Sequence, residues 1–222
     1  MSDGRTIPFR TEAEQRAALD IVADHLRSGG LIAYPTETVY GFGCMLQPAA
    51  LERLATAKQR AEDRPFLVLV ADREMASGVE WTAAAESLAD AFWPGPLTLA
   101  LGAAGEWPRE VLSRAGTVAI RATPHDGVRA LIRHCGGPIT STSANEPGTA
   151  PALEPAAAAR ALASTTGSRS GLVLDGGPLP PSPPSTIVDC SVDPPVIVRA
   201  GAIDATAIAE ILNGAEPTKG RP

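Results

Sequence analysis

The sequence predicts an α/β fold, a twisted, open, mixed β-sheet with helices on its faces. Three observations carry that prediction. Short apolar runs alternate with helical patterns along the whole chain. The best strand candidate, 66–71, is continuously apolar, as a strand covered on both faces must be. At 222 residues and 44% hydrophobic content the chain suits one substantial domain, which would bury roughly 70% of its unfolded surface. The domain is expected over 7–212, with 213–222 as a flexible C-terminal tail.

The elements follow in order. Thr11, with Glu14 three residues on, forms a capping box that opens a helix whose apolar face carries Ala17, Ile21, Val22 and Leu26. Gly29-Gly30 ends it. A short strand at 31–34 is stopped by Pro35. Pro48 suits the first turn of a second helix, with Leu51, Leu54 and Ala55 at helical spacing and Lys58 at its C-terminus, where a cation complements the dipole. Strands are then expected at 66–71, 97–101, 117–121, 138–141, 171–175, 186–189 and 196–199, and helices at 82–92, 127–134, 155–163 and 205–212. The segment 176–185 (GGPLPPSPPS) is too rich in proline for a sheet interior. It reads either as a surface linker or as a semi-rigid flap that delivers Ser185-Thr186 to a strand.

Composition excludes several classes of function. A net charge of −6 argues against bulk attraction to nucleic acid, so any polyanion site needs locally clustered cations. Cys44, Cys135 and Cys190 are odd in number and lack C-x-x-C spacing, which speaks against a disulfide framework and for reduced thiols in the cytoplasm. No run approaches the roughly 20 apolar residues needed to span a bilayer. His25, His125 and His134 are scattered, and neither a G-x-S-x-G elbow nor a G-x-x-x-x-G-K-[ST] loop is present.

Chemistry concentrates where strands end. The loop Pro35-Thr36-Glu37-Thr38-Val39-Tyr40-Gly41-Phe42-Gly43 follows a buried strand, at the edge where α/β sheets bind ligands. The alternative is a turn in which Thr36 or Thr38 bonds local backbone. Lys58, Arg60 and Arg64 cluster before Pro65 and offer donors to phosphate oxygens, although Glu62 and Asp63 also favour a solvated helix end. Arg121 and Arg199 each close an apolar strand, placing two planar guanidinium forks at the sheet edge. Each suits a carboxylate, and the alternative for Arg121 is a salt bridge to a nearby acid. Thr140-Ser141-Thr142-Ser143-Ala144-Asn145 ends another strand with four hydroxyls and an amide, either a nucleotide cradle or a helix cap or Asx-turn around Asn145 and Gly148. Taken together, these motifs predict charge on one wall of a nucleotide site and neutral polar groups on the other.

In this order the motifs P-T-E-T-V-Y-G, K-x-R, W-P-G-P-L-T (93–98), T-V-A-I-R, S-T-S-A-N, Ser185-Thr186 and the strand ending at Arg199 closely resemble the YrdC/Sua5 family, the threonylcarbamoyl-AMP synthases of tRNA modification. The resemblance runs from about Ile7 to Leu212 and looks like the short, single-domain form. It implies a YrdC-like sheet around a basic concave cavity, and a nucleotidyl transfer joining L-threonine, bicarbonate or CO2, and ATP with Mg²⁺. The products would be threonylcarbamoyl-adenylate and pyrophosphate. By the same resemblance Lys58 and Arg60 are the catalytic cations. Lys58, Arg60, Arg64, Thr117, Ser143, Asn145 and Arg199 would hold ATP, while Thr38, Arg121, Ser141 and Ser185 would hold threonine. No metal ligand is assigned to a protein side chain. Implied partners are tRNA or double-stranded RNA and downstream threonylcarbamoyl-transfer proteins. A double-stranded RNA-binding module, or a relative that makes carbamoyl-adenylate, stands as the alternative. The chain departs from the family pattern at Ala61, Arg64, Leu69 and Pro151. Leu69 stands where some members carry a threonine-contacting His.

Overall fold

A computed structural model describes residues 5–60, 64–166 and 171–214. The elements run β1 (Arg5–Pro8), α1 (Glu12–Arg27), β2 (Leu31–Tyr34), β3 (Gly41–Gly43), α2 (Pro48–Ala57), β4 (Leu67–Val70), α3 (Ala83–Phe92) and β5 (Leu97–Gly102). A 3₁₀ turn at Arg109–Val111 follows, then β6 (Thr117–Ala122), α4 (Asp126–Cys135), β7 (Ile139–Ser143), α5 (Pro155–Thr166), β8 (Gly171–Asp175), β9 (Thr186–Asp189), β10 (Val196–Arg199) and α6 (Ala205–Gly214). The strands form one ten-stranded sheet in the order β1-β8-β2-β3-β7-β4-β6-β5-β9-β10. Parallel pairs (β1/β8, β2/β8, β4/β6, β5/β9) mix with antiparallel ones, and the sheet is open at β1 and β10. This is the mixed open α/β sheet expected.

Strand alternation sorts the side chains into two cores. On one face Ile32, Tyr34, Leu69, Ala71 and Ile139 pack under α1 and α4 through Val22, Leu26, Leu131 and Ile132. On the other, Leu31, Ala33, Val68, Val70, Leu99 and Ile120 pack under α2, α3 and α5 through Leu51, Leu54, Leu88 and Leu162. The capping box forms as expected, with Thr11 Oγ1 accepting from the Glu14 N–H at 3.3 Å and Glu14 Oε2 from the Thr11 N–H at 2.9 Å. The buried stripe of α1 is Ala18, Val22, Ala23 and Leu26, whereas Ile21 is 44% exposed. The expected Ala17/Ile21 stripe is one residue, about 100° of helix rotation, away from the stripe that meets α4.

Two strands escape the sequence pattern. β1 has only Ile7 buried, so no alternation marks it. β3 contains two glycines that read as loop, yet it pairs with β2 and β7 in mid-sheet. Its partner β7 therefore extends to Ser143 rather than stopping at the hydroxyl-rich run, with Gly41 opposite Ser143 and Phe42 opposite Thr142. Glycine at 43 is a steric requirement: a Cβ there would lie 2.5 Å from the Thr140 carbonyl oxygen and 2.8 Å from Tyr34 Cε1. Gly43→Ala should destabilise the fold by about 2–3 kcal/mol, the upper range for overpacking a core, and lower Tm by roughly 5–10 °C. Calorimetry of the variant checks this.

The proline-dense segment 176–185 forms no ladder. It is pinned by the Tyr40 hydroxyl, which donates to Gly177 O at 2.8 Å, and by the Leu179 N–H, which donates to Leu153 O at 2.8 Å. Ala61, Glu62 and Asp63, and 215–222 of the expected tail, lie outside the described residues. Among the described residues no helix is long and apolar enough to cross a membrane.

Candidate active site

The same alternation builds a cavity. Along β5, β6, β4, β7 and β9 the residues Thr98, Ala119, Arg121, Leu67, Ser141 and Ile187 share one face, and all line a single cavity of about 750 Å³. Their neighbours Leu97, Leu99, Val118, Ile120, Val68 and Val188 face the opposite core. Small and polar residues on one side of each strand thus leave room that large aliphatic residues fill on the other. The loop after β2 supplies a second wall through Thr36 and Thr38, and the proline-rich segment a third through Ser182 and Ser185.

Of the eleven site residues selected from sequence, seven line this cavity: Thr38, Arg60, Arg121, Ser141, Ser143, Ser185 and Arg199. Lys58 and Asn145 stand behind the wall. Lys58 Nζ donates to Ser143 O (2.9 Å), Asn145 O (2.8 Å) and Asn145 Oδ1 (2.8 Å), using all three of its N–H groups. The Ser143 hydroxyl also donates to Asn145 Oδ1, at 2.6 Å. The K-x-R and S-x-N motifs are therefore one cross-linked wall, not two facing walls, because the end of α2 packs directly against the loop after β7. Asn145 Nδ2 donates to Glu146 O and Thr149 O and so braces the following turn, but its Oδ1 accepts from Lys58 and Ser143 rather than from a backbone N–H, so the arrangement is not the Asx-turn given as the alternative.

Gln59 between the two cations has φ +45°. It ends α2 in a Schellman arrangement, with the Gln59 N–H on Thr56 O and the Arg60 N–H on Ala55 O, both at 3.0 Å. That reversal sends Arg60 toward the sheet, where its guanidinium donates to Thr142 Oγ1 (3.0 Å), to Pro65 O (2.6 Å) and to Arg64 O, and stacks 4.4 Å over Phe66. Arg64 is exposed and lies on the far side of Arg60, beside a separate cavity of about 190 Å³. Thr117 sits one pleat before Ala119 and outside the lining, its hydroxyl 2.7 Å from Ser113 Oγ in the turn that enters β6. Leu69 is fully buried beside Arg121 in the sheet and offers no polar group, whereas Pro151 lines the cavity.

Arg199 donates to Ser185 O (3.1 and 2.7 Å) and to Ser185 Oγ (2.9 Å), and Ser185 Oγ lies 2.9 Å from Thr98 Oγ1. Arg121 is 5% exposed and pairs with Glu37, Nε to Oε1, at 3.4 Å. The salt bridge foreseen as the alternative for Arg121 is thus real and coexists with its place on the cavity wall. Glu37 and Thr98 were not selected from sequence. A signal existed for Thr98, a lone hydroxyl between the buried leucines 97 and 99.

The electrostatics favour an anion. Burial pushes the Lys58 ammonium down to about 8, with the charge of Arg60 adding to it. Burial likewise lowers Arg60 to about 10, helped by Arg64, and lowers Arg199, helped by Arg121. Each cation is thus desolvated next to another of the same sign, an arrangement that a bound polyanion relieves. No carboxylate, imidazole or thiol is among the residues lining the cavity, and among the described residues no cluster of His, Cys, Asp or Glu is placed to hold a metal.

Known proteins share this architecture. The family model Sua5_yciO_yrdC, described as telomere recombination, matches residues 24–201. A Pyrococcus abyssi protein named threonylcarbamoyl-AMP synthase is 35% identical over 196 residues, which is 86% of this chain and 56% of that protein. P. abyssi Sua5, in a crystal structure complexed with L-threonine, superposes with a TM-score of 0.82 at 32% identity, over 94% of this chain and 60% of that one. E. coli YciO superposes with a TM-score of 0.77 at 28% identity, over 92% of this chain and 98% of its own. The chain spans little more than half the length of the P. abyssi protein. With a family match across most of its residues and the same open mixed sheet, the chain belongs to the Sua5/YciO/YrdC family.

Proposed function

We propose that this protein is an L-threonylcarbamoyladenylate synthase, condensing L-threonine, bicarbonate or CO2, and ATP into threonylcarbamoyl-AMP and pyrophosphate. One observation carries the reading: Arg60, Arg121 and Arg199 converge on a single cavity whose other polar side chains are neutral hydroxyls. Such a lining fits a substrate rich in negative charge and poor in groups that need an acid or base. The relatives named for this activity, and the P. abyssi Sua5 complex with L-threonine, support the choice of substrates.

In this reading the threonine amine adds to CO2 and releases one proton, giving a carbamate. A carbamate oxygen then attacks the ATP α-phosphorus, forming the P–O bond while the bond to pyrophosphate breaks. No protein nucleophile takes part. The chain's contribution is alignment and charge stabilisation. Arg121 grips the threonine carboxylate, the Thr38 and Ser185 hydroxyls meet its side chain, and Arg60, backed by the Lys58 cross-link and Arg64, holds phosphates. Ser143, Asn145, Thr117 and Arg199 belong to the nucleotide side, Thr117 at a remove. Mg²⁺ enters bound to ATP, as part of the substrate, and neutralises phosphate charge. The product is of the kind consumed by transfer to an adenosine of tRNA, which makes tRNA-modifying transfer proteins the downstream partners.

Mass spectrometry of the products formed from ATP, Mg²⁺, bicarbonate and threonine tests the proposal, with threonylcarbamoyl-AMP as the expected product. Substrate analogues test the side-chain contacts. A site built to bond a hydroxyl rejects an analogue lacking it by about 10⁴-fold, while a missing methyl costs about 10–200-fold. Serine should therefore be a poor substrate and valine a far worse one. Comparable adenylate formation from valine would remove Thr38 and Ser185 from that role.

A further inference from the structure

Arg121 is held in an unusual way. It is 5% exposed, and it meets an acid through the 3.4 Å approach of Nε to Glu37 Oε1. Neither atom of that contact makes a hydrogen bond among the described residues, although both are buried. No described residue accepts a hydrogen bond from the two Nη groups either, and Arg121 lines the cavity. A guanidinium has five N–H donors, and leaving them unmatched in the interior is costly. Arg121 is thus a buried fork whose donors await an acceptor from the cavity.

Glu37 itself is anchored from behind. Its Oε2 accepts from Thr123 Oγ1 at 3.1 Å, and Thr123, fully buried, accepts at the same oxygen from the His125 N–H at 3.3 Å, at the N-cap of α4. Its backbone is held as well, since Ser182 Oγ donates to Thr38 O (3.1 Å) and Glu37 O (3.4 Å). Glu37 is not among the residues that line the cavity. One carboxylate oxygen is therefore fixed to the scaffold, and the other stands beside the Nε of Arg121.

We propose that Glu37 is a positioning residue for carboxylate recognition: tied to Thr123, it occupies the Nε side of Arg121 and leaves the paired Nη groups to grip the α-carboxylate of the amino-acid substrate end-on. Closure of that bidentate contact would draw the guanidinium into line and shorten the loose contact with Glu37. The proposal rests on the threonine reading above and adds to it a residue that never touches substrate.

Steady-state kinetics on Glu37→Ala, Glu37→Gln and Thr123→Val, with threonine and ATP varied in turn, test it. Glu37→Ala should raise KM for threonine at least tenfold and leave KM for ATP within twofold. Glu37→Gln keeps an acceptor beside Nε and should lose about threefold or less. Thr123→Val should shift the threonine KM in the same direction by about three- to fivefold, and the Glu37→Ala/Thr123→Val double variant should be no worse than Glu37→Ala alone, because both act through one contact. If Glu37→Ala fails to fold, the other two single variants carry the test. A threonine KM within twofold of wild type in all soluble variants, equal rises in both KM values, or multiplying effects in the double variant would overturn the role of Glu37 while the wild-type activity stands. A wild-type protein that makes no adenylate from threonine overturns the parent reading, and this inference with it.

Discussion

Arg121→Ala is expected to raise KM for L-threonine by about 10²–10⁴-fold, since two charge-assisted hydrogen bonds of about 1.5–3 kcal/mol each are lost and 1.4 kcal/mol is tenfold. The substitution also leaves Glu37 buried without its cation, at a side-chain exposure of 14%. Removing one partner of a buried pair costs about 3–5 kcal/mol, so a clear fall in Tm should accompany the kinetic defect. Arg121→Lys separates the two effects. It restores the charge beside Glu37, and with it most of the stability, but an ammonium cannot grip a carboxylate with two parallel donors. Its threonine KM should stay about 10–100-fold high, in line with the loss of one such bond. Threonine-dependent pyrophosphate release, followed at saturating ATP, reads these values. A wild-type KM in Arg121→Ala would remove the carboxylate role altogether.

Lys58→Met is the second large effect. The ammonium joins the end of α2 to Ser143 and Asn145 through three bonds of 2.8–2.9 Å. Methionine keeps the stem and its packing near Phe42 but releases the loop and removes a positive charge from beside the phosphates. A fall of about 10²–10³-fold in kcat/KM for ATP is expected, comparable to deleting one preorganised electrostatic contact in an active site. The pH dependence gives an independent check. Lys58 titrates near 8 in the free protein because burial and Arg60 disfavour its charge, and bound phosphate would raise that value again. Binding then takes up a proton once the pH exceeds about 8. Affinity for ATP should be level below this pH and fall toward tenfold per unit above it. Lys58→Met should abolish that fall, and a pH-independent Kd from pH 7 to 9.5 in the wild type would contradict it.

The two variants probe a residue that lines the cavity and one that braces its wall from behind, and how each was legible in the sequence differs. Arg121 was visible because an apolar strand that ends on arginine is improbable unless the charge has a use. Its partner Glu37 was not, since one acid within a polar loop carries no sign of which distant strand it will face. Lys58 and Asn145 were visible as motifs, but their mutual contact was not. Arg64, chosen for its place in a cationic cluster, and Thr117, chosen through the family resemblance alone, fell outside the cavity, the first turned away behind Arg60 and the second held by a local serine turn.

Periodicity, caps and breakers act within a few residues, and they were enough to place the helices, eight of the ten strands and the sheet class. Thr11 with Glu14, Pro48 and the apolar runs decide locally what they form, because each contact spans at most one helical turn. What depended on tertiary structure was every pairing between segments far apart in sequence. β3 became a strand only because β2 and β7 flank it, and with it the hydroxyls of β7 moved from a loop into the sheet. Lys58 met Asn145 across 87 residues, and Arg121 met Glu37 through a loop that begins at β2, four strands from β6 in the sheet. Side-chain chemistry is written residue by residue, but the direction in which each group points is set by register and packing, and those exist only once the strands have paired and the helices have docked on them.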